Sequence, residues 1–199
     1  MRLLLALVAL GGLGACAGTF ETDYGVPLQA ETTRNWNVVG ISVDVPESLE
    51  ISESDTFAPR ADIVWHGDEV GDRREQIAAI VEEGVERGAS GLNGSVPVTI
   101  GVRIVRFHGV TPRSINAAPG AVHNIQMNAQ VWSADGTTPL TQPELIIADL
   151  EALVGSAAIA AAEEGQTQKV RVTDHIARVY AGWLGTGPDV RRSFFSWGR

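Results

Sequence analysis

Four residues carry an imidazole ring that could bind a metal ion: His66, His108, His123 and His175. His108 ends one predicted strand and His123 begins the next, so these two rings could meet at the end of a sheet. Asp62 or Asp68, near His66 in the chain, could complete a set of two imidazoles and one carboxylate, which suits a divalent metal and metal-dependent hydrolysis. No two histidines have the spacing of a local metal motif. The competing hypothesis is that they cap strand ends.

Other catalytic patterns are missing from the sequence. It contains no G-x-S-x-G elbow, P-loop or G-x-G-x-x-G loop. The carboxylate pairs Glu82/Glu83 and Glu163/Glu164 are adjacent on predicted helices, where neighbouring side chains do not face each other. We therefore predict no catalytic residue, metal or cofactor. The runner-up is a membrane-anchored metal-dependent hydrolase that uses His66, His108 and His123.

Two other groups of residues could bind a partner. In the most regular predicted strand, one face carries only amides: Asn124, Gln126, Asn128 and Gln130. Such a row can bind a peptide, a glycan or another subunit through hydrogen bonds, although it also fits the solvated face of a sheet. The C-terminal segment is basic and aromatic and contributes Arg191, Arg192 and Trp197. These residue types form interface anchors, or they cover an edge of the core.

The single cysteine follows a distinctive N-terminal segment. Leu13-Gly14-Ala15-Cys16 comes after Met1-Arg2 and the apolar run from Leu3 to Leu10. The tetrapeptide resembles the lipobox of bacterial lipoproteins, in which the cysteine is acylated and the preceding peptide bond is cut. The resemblance implies that residues 1–15 are a signal peptide and that Cys16 is the lipidated N-terminus. An ordinary secretory signal is an alternative, whereas a membrane span needs about 20 apolar residues.

Composition limits the classes of partner. The chain has 199 residues, 44% of them hydrophobic, and a net charge of −9. The apolar content favours a folded domain, and an acidic surface repels the phosphates of nucleic acids. We therefore expect no nucleic acid as a partner, and we expect membrane contact to come from the lipid. In lipoproteins an Asp after the lipidated Cys often causes retention in the inner membrane, so Ala17 favours the outer membrane, with the domain facing the periplasm.

The predicted elements give an α+β fold. Alternating apolar residues predict strands over 39–45, 96–104 and 124–133, with a bulge near Val105, and a short strand over 62–65. Capping signals and helical spacing predict helices after Asp72, Thr111 and Thr167, and an Ala-rich helix over 156–164. Asp135-Gly136 predicts a hairpin, and the dense run 145–148 predicts a returning strand buried on both faces. We expect one domain with a mixed, mostly antiparallel sheet and helices mainly on one face.

The predicted boundaries are a signal peptide over 1–15, a lipidated Cys and tether over 16–36, the α+β domain over 37–188 and a tail over 189–199. Residues 17–35 show no helical or strand period, which favours a tether. The alternative is that Phe20, Tyr24 and Leu28 pack along the domain.

Four motifs suggest a family. They are residues 20–25 (FETDYG), 65–68 (WHGD), 118–125 (APGAVHNI) and 182–188 (GWLGTGP). They resemble an uncharacterised lipoprotein family of alphaproteobacteria, for which no activity is assigned. The element order also resembles small periplasmic lipoprotein domains that are auxiliary subunits of transporters and secretion channels. Together these resemblances imply a non-catalytic envelope lipoprotein that binds a protein partner.

Overall fold

The computed structural model describes residues 19–197. Its strands are β1 (Thr19–Asp23), β2 (Trp36–Asp44), β3 (Ile63–Val64), β4 (Val96–His108), β5 (Ala121–Ser133), β6 (Glu144–Ala148), β7 (Leu150–Ala152) and β8 (Phe195–Trp197). Its helices are α1 (Ala30–Thr33), α2 (Arg73–Ala89), α3 (Pro112–Ala117), α4 (Gly155–Glu163) and α5 (Gln168–Trp183). All eight strands belong to one sheet, whose main order is β2-β4-β5-β6-β1-β8; β3 pairs with β4, and β7 pairs with β5.

The helix starts follow from local capping. The Asp72 side chain accepts hydrogen bonds from the backbone N–H groups of Arg74 and Glu75 and so caps α2. Thr111 and Thr167 cap α3 and α5 in the same way. All three predicted caps are confirmed. The sequence could predict them because each cap depends only on residues within one helical turn.

The sheet is mixed, as predicted. β2 and β3 run parallel to β4, and α2 is the crossover between β3 and β4. β4, β5 and β6 are antiparallel, and the loop between β5 and β6 contains Gly136, with a φ of 70°. The register shifts between Ile104 and Arg106, which confirms the bulge predicted near Val105. The α+β class and the mostly antiparallel sheet are therefore confirmed.

The core lies between the sheet and the pair α2 and α5. Apolar side chains from one face of β4 and β5 pack beneath these helices. The largest buried side chains in the core come from elements other than these two strands: Trp65, Tyr180 and Trp183. Gly84 and Gly88 let α2 approach α5 closely: a Cβ at Gly88 would lie 2.6 Å from a backbone oxygen of α5. The predicted helical spacing of these glycines therefore marks a helix contact.

Two predicted boundaries need correction. Residues 19–23, interpreted from the sequence as part of a tether, form β1, which pairs with both β6 and β8. Tyr24 is buried, and Leu28 packs against the core, so the alternative interpretation applies to this segment. The segment interpreted as a tail likewise contributes β8, residues 195–197, which is an edge strand of the sheet. Both strands are short, five residues in β1 and three in β8, so neither is long enough to show a clear period of two.

The prediction that residues 145–148 are buried on both faces is wrong. Ile146 and Ala148 are fully buried, but Leu145 is 44% exposed and Ile147 is half-buried. These exposures follow from the position of the helices, because α2 and α5 cover only one face of the sheet. Val39 is also exposed, since it occupies a bulge in β2. Within residues 19–197, no helix has both the length and the apolarity needed to cross a bilayer.

Candidate functional site: the helix-free sheet face and the groove at its end

The amide row lies on the sheet face that α2 and α5 leave uncovered. The register places Arg103 opposite Asn128, and Leu145 on the other side of Asn128. Gln126 lies between Arg106 and Ile147 in the same way. We call this surface the helix-free face and define it by Arg103, Arg106, Gln126, Asn128, Gln130, Leu145 and Ile147. It combines amides, two guanidinium groups and exposed aliphatic side chains.

The four amides do not all have the same role. Asn124 is buried and donates to an Asp149 carboxylate oxygen at 2.8 Å, so it is part of the interior. Gln130 donates to the backbone oxygen of Thr141 at 2.8 Å and holds the hairpin loop. Within the described residues, the side chains of Gln126 and Asn128 make no hydrogen bond to protein. These two remain the amides best placed to meet an external ligand.

A groove of about 1190 Å³ lies at one end of this face. Its floor includes Arg106, His108 and Asn124 from β4 and β5. Its walls come from the 57–62 loop, the 118–121 loop and the β1/β8 edge, and they contribute four aromatic rings: Phe20, Phe57, Phe194 and Trp197. We call it the end groove. Its lining also includes the carboxylates Glu50, Asp62 and Glu151. Aromatic rings beside charged groups of both signs suit an amphipathic ligand.

The structure does not bring His66, His108 and His123 into one site. His108 is opposite Asn124 in the β4–β5 register and lines the end groove, where its Nε2 lies 2.9 Å from the Pro59 carbonyl oxygen. His123 belongs to the opposite face and is buried in the core. Asp68 binds Lys169 and the Trp65 indole N–H instead of a metal. Within residues 19–197, no group of three His, Cys, Asp or Glu side chains is placed to hold a metal ion.

Sequence reasoning missed a buried polar cluster around Asp149. One carboxylate oxygen of Asp149 accepts hydrogen bonds from the Asn124 side chain and the Ile125 N–H, and the other accepts from the Glu21 N–H at 3.1 Å. Burial raises the pKa of Asp149 to about 6, against the opposing effect of these donors. The cluster fastens β1 to β5 at the break between β6 and β7. The sequence signal was the lone Asp within the apolar run 145–150.

Two histidines from the core layer lie near this cluster. Burial, with the positive charge of Arg171 as a smaller cause, lowers the pKa of His123 to about 3. Burial and the positive charge of Arg178 lower the pKa of His175 to about 4, against a smaller opposing effect of a hydrogen bond with the Asp149 backbone. The His175 Nε2 also lies 3.2 Å from the Thr22 hydroxyl oxygen. Both rings are therefore neutral in the folded protein near pH 7. Their positions give them a structural role.

The three C-terminal candidates are separated by the fold. Arg191 binds the Asp189 carboxylate and the Gly25 carbonyl oxygen, and its guanidinium group lies 5.6 Å from the centre of the Tyr24 ring. The Arg192 N–H donates to the Thr22 carbonyl oxygen, in a left-handed backbone conformation with φ 61°. Arg191 therefore fastens the chain end to the segment that follows β1, and the Arg192 backbone fastens it to β1 itself. Trp197, in contrast, is exposed beside the end groove.

The remaining predicted site residue, Cys16, lies outside the described residues, as do the other lipobox positions. The first described residue, Thr19, lies opposite Trp197 in the β1–β8 register.

Comparison with known proteins decides the family. The model of a family of unknown function, DUF6778, matches residues 36–198, which is most of the chain. The chain belongs to the DUF6778 family. The DUF6778 match begins at Trp36, so β1 and the lipobox-like segment precede it. No curated protein is significantly similar to this DUF6778 member.

Among solved structures, a candidate lipoprotein of Caulobacter crescentus CB15 is similar over 54% of this chain and 83% of its own, with 13% identity and a TM-score of 0.33.

Proposed function

We propose that this DUF6778 member is a lipid-anchored protein of the bacterial envelope that binds a partner protein through its helix-free face. Its role is non-catalytic, and its specific form is an auxiliary subunit of an envelope transport or secretion assembly. Cys16 carries the lipid, and the domain faces the periplasm from the outer membrane.

The observation that carries the proposal is the surface chemistry of the helix-free face. Leu145 is 44% exposed in the middle of an eight-stranded sheet, where a solvated face would carry a polar side chain. Next to it, Asn128 and Gln126 offer amide donors and acceptors that no other described side chain uses. Apolar area bordered by unpaired polar groups is typical of protein interfaces.

Two arginines on the helix-free face would favour a partner with acidic side chains. Arg103 pairs with Asp44 on the neighbouring strand β2, so its guanidinium group is held at the surface. Arg106 lies 4.0 Å from Asp62. Since both side chains are about half exposed, they can donate to carboxylates of a partner. We infer that the partner presents aliphatic and acidic side chains.

The anchor is tested first. Labelled palmitate should be incorporated into the wild-type protein and not into Cys16→Ala, because only one cysteine is present. Incorporation into the mutant would exclude Cys16 as the lipidation site.

The interface is tested by site-specific photo-crosslinking in membranes of the native host. A photoreactive amino acid at Asn128, on the helix-free face, should give a reproducible adduct with one envelope protein. The matched control is the same group at Glu86, an exposed position on α2 in the opposite layer. Equal adducts from both positions, or none from Asn128, would refute partner binding by this face.

A further inference from the structure

The surface beside the end groove carries large exposed rings. Trp197 is 68% exposed, Phe195 47% and Phe57 53%. Trp197 and Phe195 pack edge to face, with ring centres 5.2 Å apart. Phe57 and Trp197 both line the end groove. We call these three side chains the aromatic rim.

Basic groups lie next to the rim. The Arg113 guanidinium group lies 4.8 Å from the centre of the Phe57 ring, and Arg60 and Arg106 line the same groove. Glu50, Asp62 and Glu151 line the groove as well, so the arginines lie beside the exposed rings within a lining of mixed charge. Aromatic rings flanked by Arg side chains are the composition of protein segments that lie at the lipid–water interface.

Chain length places the lipid attachment point beside the rim. Trp197 lies opposite Thr19 in the register of β1 and β8. Three peptide units join Thr19 to Cys16, and they span at most about 11 Å, since consecutive Cα atoms are about 3.8 Å apart. Acyl chains on Cys16 therefore hold this end of the domain within about one headgroup layer of the bilayer. The tether predicted from the sequence would have allowed much greater separation.

We propose that the aromatic rim is a membrane-contact site that seats the domain on the bilayer in which the Cys16 lipid is inserted. This inference rests on the lipidation proposed above. Trp197 and Phe195 enter the interfacial layer beside the anchor, and Arg60 and Arg113 meet lipid phosphates. The domain is then fixed in one orientation, with the β1/β8 edge of the sheet at the bilayer.

Tryptophan emission can test this contact in the full lipidated protein. We would reconstitute the protein in phosphatidylcholine vesicles whose acyl chains carry bromine, a short-range quencher of tryptophan. Trp65, Trp183 and Trp36 are buried in the core, and Trp132 is half-buried on the helix-free face. The bromine should therefore reach only Trp197. Quenching is expected in the wild type and should be lost in Trp197→Phe.

Trp132→Phe is the matched control, because Trp132 is half-buried and lies on the helix-free face. This variant should retain the quenching. Quenching that persists in Trp197→Phe, or is lost in Trp132→Phe, would overturn the inference. Protein that floats with the vesicles without being quenched would also overturn it while leaving the anchor intact.

Two further outcomes separate the alternatives. If Trp197 in floating protein is protected from both bromine and water-soluble iodide, a protein partner or a second copy covers the rim, and the membrane-contact site is refuted. If the wild type carries no palmitate and does not float, the anchor itself is refuted, and the inference fails with it.

Discussion

Replacement of Asp149 by Ala tests the buried polar cluster most directly. The change removes the acceptor of the Asn124 amide at 2.8 Å and of the Ile125 N–H at 2.9 Å, both in the interior. A buried donor left unpaired costs about 1–3 kcal/mol, so the two together predict a loss of about 2–6 kcal/mol in the free energy of unfolding. The third donor, the Glu21 N–H, is nearer the surface and adds less.

The loss should depend on pH in a direction that the raised pKa of Asp149 determines. The folded protein binds this proton more tightly than the unfolded chain, with a pKa of about 6 against 3.8. Asp149 therefore favours the folded state most at low pH, and that contribution falls as pH rises from about 4 to 6. Between pH 5 and 7.5 the difference amounts to about 1.4 kcal/mol. Asp149→Ala should thus destabilise the protein more at pH 5 than at pH 7.5.

Urea unfolding at the two pH values, followed by near-UV circular dichroism, measures both effects. Asp44→Ala is the control, since Asp44 forms an exposed ion pair with Arg103 and its loss should cost less than about 1 kcal/mol at either pH. The reasoning is refuted if Asp149→Ala costs less than 1 kcal/mol at pH 5, on the scale of an ordinary surface change. It is also refuted if the cost is greater at pH 7.5.

Three further changes test the core. Gly88→Ala should destabilise by about 1–3 kcal/mol in urea unfolding, because the clash with α5 exceeds the gain in helix propensity; Gly120→Ala, where a Cβ meets nothing within 4 Å, should be nearly neutral. Tyr180→Phe should leave the thermal midpoint unchanged or raised, since the buried hydroxyl has no partner among the described residues; a drop above 5 °C would show a missed hydrogen bond. Between pH 6 and 4 the unfolded chain carries nearly two protons on His123 and His175, whose ordinary pKa is 6.5, whereas the folded protein keeps both rings largely neutral and carries about one proton, on Asp149. Stability should therefore fall by about 1.4 kcal/mol per pH unit as pH decreases, and His123→Leu should flatten that slope.

The sequence by itself determined the features that depend on near neighbours. Asp72 caps α2 because its carboxylate reaches N–H groups two and three residues away. The alternation along β5 predicted which side chains face the core, since strand geometry fixes a period of two. The bulge at Val105 was visible because an extra residue reverses that alternation. The lipobox resemblance is equally local, because it is carried by four consecutive residues.

Only the tertiary structure decided the features that depend on distant partners. Residues 19–23 and 195–197 carry weak strand patterns, and they become strands because β6 offers a free edge more than 100 residues from β1. His108 lies opposite Asn124 in the register of β4 and β5. His123 is the residue before Asn124, and it points to the other face of the sheet because successive side chains in a strand alternate. The aliphatic residues of β6 are exposed because α2 and α5 cover the other face of the sheet. In each case the deciding energy comes from burial or pairing with residues far away in the chain, and no local pattern contains that information.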